Sequence, residues 1–191
     1  MNPHGHIDFG QTPFIVIWET TQACALACQH CRAEAIDLRN PGELNLDEGK
    51  DLVDQVADMG TPIVVFSGGD PLQREDLDDL IRHAKKRQLR AATIPAATPR
   101  LTLDRVQQLK DAGLDQMALS LDGSSEELHD SFRGVEGSFR KTMEGAGFGS
   151  KLPVPGSGLV NCQQHPFPPP QDLGPRGRLR DPLHRALAQG H

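Results

Sequence analysis

The chain has 191 residues, enough for one ordinary domain, and a formal net charge of −6 at pH 7. That acidity argues against nucleic acid as a general partner. No apolar run approaches the ~20 residues of a membrane span, and the N-terminus lacks the basic-then-apolar pattern of a secretory leader. The expectation is a cytoplasmic, reducing setting, with neither nucleic acid nor membrane as partner.

Residues 1–12 are polar, with His4 and His6, and read as a flexible terminus. Residues 13–18 read as a buried strand, short, apolar and rich in β-branched side chains. The chain then turns polar through Glu19-Thr20-Thr21-Gln22 and reaches Cys24, Cys28 and Cys31, spaced Cys-x3-Cys-x2-Cys with His30 before the last. On spacing alone three readings stay open. The thiolates could hold three irons of an iron–sulfur cube, which ordinarily takes four cysteines. They could belong to a structural zinc site, which wants four tetrahedral ligands. They could also be unliganded thiols.

Strands and helices then alternate. Residues 46–59 show helical apolar spacing, with Asn45 as N-cap and Glu48 completing a capping box. Residues 62–66 are continuously apolar, as parallel strands are, and residues 75–88 are helical. A weaker strand over 90–94 precedes a helix over 103–112 that Gly113 ends. Residues 115–121 form a fourth strand, and 124–133 and 138–145 short helices. Such alternation predicts a parallel sheet with right-handed crossovers. In such sheets and barrels, sites gather at the carboxyl ends of the strands. There stand the cysteines, Gly68-Gly69-Asp70-Pro71, the Thr98 loop and Ser120-Leu121-Asp122-Gly123. Gly68-Gly69 lets a backbone approach a ligand closely, with Asp70 suited to an ammonium; an ordinary turn is the plainer alternative. Ser120 and Asp122 could hold hydroxyls, or Asp122 could cap the next helix.

Composition breaks near residue 147. Residues 148–191 hold eight of the 15 prolines, five basic and two acidic residues. The stretch before carries 15 basic and 24 acidic. The tail has no strand alternation and no helical stripe, and so little to bury that disorder is expected.

In its order of motifs, residues 12–145 resemble the radical S-adenosylmethionine (radical SAM) enzymes. Cys24-Ala-Leu-Ala-Cys28-Gln-His30-Cys31 is similar to their cysteine signature, and Gly68-Gly69-Asp70 to their Gly-Gly-Glu motif, with Asp for Glu. The resemblance implies a partial (β/α) barrel of the TIM-barrel-like type, here about four strands. It implies a 4Fe-4S cluster on Cys24, Cys28 and Cys31, with S-adenosylmethionine on the fourth iron. His30, Gly68, Gly69, Asp70, Ser120 and Asp122 then line the cofactor pocket, His30 near the adenine. The expected activity is cleavage of S-adenosylmethionine to a 5′-deoxyadenosyl radical that takes hydrogen from a small-molecule or peptide substrate. A flavodoxin- or ferredoxin-like donor would supply the electron. Glu19-Thr20-Thr21 and the stretch from Ser120 to Phe132-Arg133-Gly134 point toward members of haem-related or peptide-modifying, SPASM-type pathways. His129, Arg133 and Gly134 are expected only to anchor a loop.

The family's usual barrel has six strands. Residues 13–146 are therefore expected to be a truncated core, weakly active and with its fourth strand a bare edge. The abrupt Pro/Arg-rich switch inside an expected helix leads to the expectation that residues 147–191 are a frameshifted or mispredicted reading frame. An iron–sulfur electron carrier and a zinc-stabilised α/β binding module are the alternatives.

Overall fold

In the computed structural model the described residues are 10, 12–28, 31, 33–151 and 158–160. A five-stranded parallel sheet runs in the simple order β1-β2-β3-β4-β5: Ile15–Glu19, Ile63–Ser67, Arg90–Thr93, Gln116–Ser120 and Gly158–Val160. Helices α1 (Leu46–Asp58), α2 (Leu77–Lys86), α3 (Leu103–Asp111), α4 (Glu126–Arg133) and α5 (Ser138–Lys151) occupy the connections. A strand order without reversal is that of a barrel wall, and the fold class expected from the sequence is the one observed.

The helices start where their caps dictate. Asn45 Oδ1 accepts from Asp47 N and Glu48 N while Glu48 reaches back to Asn45 N, the capping box predicted for α1. Thr102 and Ser125 cap α3 and α4 in the same manner. One sheet face buries Val64, Phe66, Ala91, Met117 and Leu119 against Val53, Leu77, Leu80, Ile81 and Leu109 of the helices. The other face carries Ile63, Val65 and Ala92, with Ile94 beside them.

Three expectations need correction. The first strand is not buried on both faces: Val16 and Trp18 pack against the helix-covered core, whereas Ile15 and Ile17, which point to the opposite face, are 44% and 57% exposed. The fourth strand is not bare, since β5 pairs with it in register Ala118↔Gly158, Leu119↔Leu159 and Ser120↔Val160. Order also passes the composition break, because α5 continues to Lys151. Three residues of strand are too few to show alternation, and Gly145, Gly147 and Gly149 dilute a helical signal that tertiary packing of Phe148 restores. The rest of the segment expected to be disordered, and most of the N-terminal segment, lie outside the described residues. No helix among the described residues is long and apolar enough to cross a membrane.

Candidate functional site

The carboxyl ends of β1 and β2 remain joined beyond the sheet. Thr20 N and Thr20 Oγ1 both donate to Ser67 O at 2.9 Å. Gly69 N donates to Thr21 O and Asp70 N to Ala23 O, each at 2.7 Å. The pairing thus carries straight into the loop that bears the cysteines. The two segments approach so closely that a Cβ on Gly68 would lie 2.4 Å from Thr21 O, and one on Gly69 2.6 Å from Ala23 O. Gly68 also sits at φ +130°, open in practice to glycine alone.

Other side chains hold the loop from outside and beneath. Glu43 Oε1 accepts from Thr21 Oγ1 at 3.0 Å, Gln22 N at 2.8 Å and Asn40 N at 3.2 Å. Burial opposes the Glu43 charge, but these bonds outweigh it and its pKa is lowered. Arg74, fully buried, donates to Thr20 O at 3.1 Å and Leu44 O at 2.9 Å, pairs with Asp76 and lies 5.4 Å from the Trp18 ring centre. Neither residue carried a motif; only the fold reveals that both brace the cysteine loop.

Cys24 and Cys28 are buried and Cys31 half-buried, in a small cluster with Leu26, Ala35, Ala96 and Val135. Each sulfur faces a donor: Leu26 N to Cys24 Sγ at 3.4 Å, Ala35 N to Cys31 Sγ at 3.4 Å, and Arg133 Nη1 to Cys28 Sγ at 3.5 Å. Hydrogen bonds of this kind surround the thiolates of iron–sulfur clusters. Burial pushes the Cys24 thiol up to about 11 and raises Cys28 as well, the Arg133 charge opposing the latter. Thiols that resist ionising alone are poor nucleophiles at neutral pH, and a metal is what would hold them as thiolates. Among the described residues no three Cys, His, Asp or Glu side chains converge tightly enough for one metal ion. A single zinc ion would need all its sulfurs about 2.3 Å from one point. A cubane asks less, since each thiolate binds its own iron. Three thiolates, each able to bind its own iron, are a donor set that such a cluster accepts.

Asp70 is fully buried, and its carboxylate serves the protein. Oδ1 accepts from Leu72 N at 3.1 Å and Ala96 N at 3.3 Å, and Oδ2 from Thr98 Oγ1 at 2.8 Å. It caps a short 3-10 turn, Pro71–Gln73, and ties the end of β2 to the loop after β3. Burial raises its pKa against those bonds. Thr93 donates to Phe66 O at 2.9 Å, inside the sheet.

At the end of β4, Asp122 N donates to His129 Nδ1 at 3.1 Å, and His129 Nε2 lies 3.4 Å from Thr142 Oγ1. The imidazole is therefore neutral with its proton on Nε2, and burial lowers its pKa. The Asp122 carboxylate pairs with Arg133 Nη2, which also lies 3.4 Å from Ser120 O. Arg133 thus joins two expected site residues to Cys28, a role beyond the loop anchor expected from sequence. Gly134, at φ +68°, ends α4 against the cysteine loop, where a Cβ would sit 2.5 Å from Ala27 O. His30 lies outside the described residues.

Comparison with known proteins gives a consistent picture. Residues 18–155 match the radical SAM superfamily. An AdoMet-dependent heme synthase of Oleidesulfovibrio alaskensis is 46% identical over 134 residues, 70% of this chain and 34% of that protein. A PqqA peptide cyclase of Bradyrhizobium diazoefficiens is 36% identical over 154 residues, 80% of this chain and 40% of that protein. The crystal structure of Streptococcus suis SuiB bound to S-adenosylmethionine superposes with a TM-score of 0.62 at 19% identity, over 73% of this chain and 32% of that one. The chain spans about a third of the length of the curated relatives it matches first.

Proposed function

The chain belongs to the radical SAM superfamily, whose cofactors are a 4Fe-4S cluster and S-adenosylmethionine, and from that premise we propose that Cys24, Cys28 and Cys31 hold such a cluster. The observation that carries this reading is the set of three donor-bonded thiols on a loop whose first residues, Thr21 to Ala23, are bonded to Gly69 and Asp70 at the carboxyl end of the sheet. When bound, the cluster supplies the electron that splits S-adenosylmethionine into methionine and a 5′-deoxyadenosyl radical able to take hydrogen from a substrate.

The residues themselves bind, orient and exclude water. The buried walls of Leu26, Ala35 and Ala96 keep solvent from the sulfurs. Gly68 and Gly69 present backbone to the amino-acid end of the cosubstrate, with Asp70 behind them fixing the loop rather than facing it. Ser120 and Asp122 serve its ribose end and His30 its adenine. The electron donor is of flavodoxin or ferredoxin type. The substrate is haem-related, on the strength of the AdoMet-dependent heme synthase at 46% identity. A peptide is the second reading, favoured by the PqqA peptide cyclase at 36%.

Anaerobic reconstitution with iron and sulfide, followed by dithionite and S-adenosylmethionine, tests the proposal. About four irons per chain and formation of 5′-deoxyadenosine are expected. Stoichiometric zinc without iron would overturn it in favour of a zinc-stabilised module. A cluster whose electron-paramagnetic-resonance spectrum ignores S-adenosylmethionine would favour a simple electron carrier.

A further inference from the structure

Arg133 touches the cysteine loop twice. Its carbonyl accepts from Ala27 N at 3.1 Å, and its Nη1 donates to Cys28 Sγ at 3.5 Å. The other arm of the guanidinium reaches β4, pairing with Asp122 and lying 3.4 Å from Ser120 O. Both partners are buried, the Arg133 side chain 12% exposed and that of Asp122 not at all.

A buried ion pair offsets its desolvation only when its remaining polar atoms are satisfied. Here they are not. Among the described residues, Arg133 Nε and Asp122 Oδ1 are buried and find no hydrogen-bond partner. As a stabilising device the pair is incomplete, whereas its cationic end lies at hydrogen-bond distance from the Cys28 sulfur.

We propose that Arg133 is a positioning residue for the cluster: it fixes the Cys28 thiolate against the end of β4, and its charge raises the cluster's reduction potential while Asp122 tempers that charge. The inference rests on the reading that Cys28 is a cluster ligand. Reduction adds one electron and hence one negative charge to the cluster, with no bond formed or broken. A cation at hydrogen-bond distance from a ligand sulfur favours the more negative state, and hydrogen bonds and charge near the sulfurs are among the levers that set such potentials. The neighbouring carboxylate works in the opposite sense. Removing each member of the pair must therefore move the potential in opposite directions, which a purely structural bridge would not do.

The test uses the reconstituted full chain without S-adenosylmethionine. It is poised with dithionite and mediator dyes, and its midpoint is read by electron paramagnetic resonance. Iron per chain is measured alongside. Expected are a lower potential for Arg133→Met, a higher one for Asp122→Asn, and an intermediate one for Arg133→Lys, which keeps charge but not the fork. Unchanged potentials, or shifts of the same sign for Arg133→Met and Asp122→Asn, overturn the proposal and leave Arg133 a loop anchor. If Arg133→Met does not fold or takes up no iron, the near-isosteric Asp122→Asn decides by itself: a rise supports the proposal and no rise overturns it. Wild-type protein that binds no iron would instead defeat the cluster reading, a result distinct from either.

Discussion

Thr98 Oγ1 donates to Asp70 Oδ2 at 2.8 Å, so the acidic residue of the Gly-Gly-Asp motif is bound to the loop after the neighbouring strand. With Leu72 N and Ala96 N on the other oxygen, the carboxylate has three donors in a fully buried place. Thr98→Val keeps the shape and deletes one of them. A buried acceptor left short of a partner costs about 1–3 kcal/mol. The expected result is a lower urea midpoint with an unchanged slope, since the surface exposed on unfolding is the same.

Gly69→Ala should harm the site more than the fold as a whole. The added methyl would meet Ala23 O at 2.6 Å and Gln22 O at 2.7 Å, backbone atoms that cannot step aside without moving the cysteine loop. Fewer irons per chain than wild type are expected, with a stability loss of about 1–3 kcal/mol. Gly145→Ala is the comparison. Its methyl first meets the Leu101 and Leu119 side chains, so that variant should lose stability yet load iron normally.

Replacing any of Cys24, Cys28 or Cys31 by Ala should abolish the stable cluster, since two thiolates hold too few irons. Cys162, the fourth cysteine of the sequence, stands far from this motif, and Cys162→Ala should leave iron content and visible absorbance unchanged. Iron analysis after anaerobic gel filtration reads both, and loss of iron in the Cys162 variant would mean that the cluster has a fourth protein ligand.

His129 predicts an acid-sensitive component of stability. Its folded pKa lies below the ordinary 6.5 because it is buried, with Arg133 adding to the effect and Asp122 and Asp130 opposing it. As pH falls through 6.5 toward the folded value, the unfolded chain binds more protons than the native one. The contribution is therefore whole above 6.5 and is lost below it. Protonation at Nδ1 would also set a proton against Asp122 N, which now donates there. Urea unfolding at about pH 7.5 and about pH 5.5 should show a smaller difference for His129→Gln than for wild type, even though the variant is less stable at both.

Much of the local architecture could be read from the chain. The apolar periods placed β1 to β4 and α1 to α3 within a few residues, and Asn45 with Glu48 announced a capping box that the fold contains. Alternation of strand and helix implied a parallel sheet, and topology then required Cys24, Gly68-Gly69 and Ser120-Leu121-Asp122 to meet at one end of it. Each of these depends on nearest neighbours in sequence, where steric and hydrogen-bonding preferences act directly.

Contacts between distant residues were not legible. Arg133 lies 105 residues from Cys28, Arg74 lies 54 from Thr20, and Thr98 lies 28 from Asp70. No spacing rule links such pairs. The same holds for β5, three residues that become a strand only because β4 offers a ladder to pair with. The sequence alone determined β1 to β4, α1 to α3, their order and the cysteine loop, because propensity, capping and hydrophobic period are local. Only the tertiary structure decided that Asp70 is bound from within, that Asp122 faces Arg133, and that Arg133 reaches the sulfur of Cys28. Burial strips those charged groups of water and leaves each to take whichever partner the packing of other strands and helices has brought near.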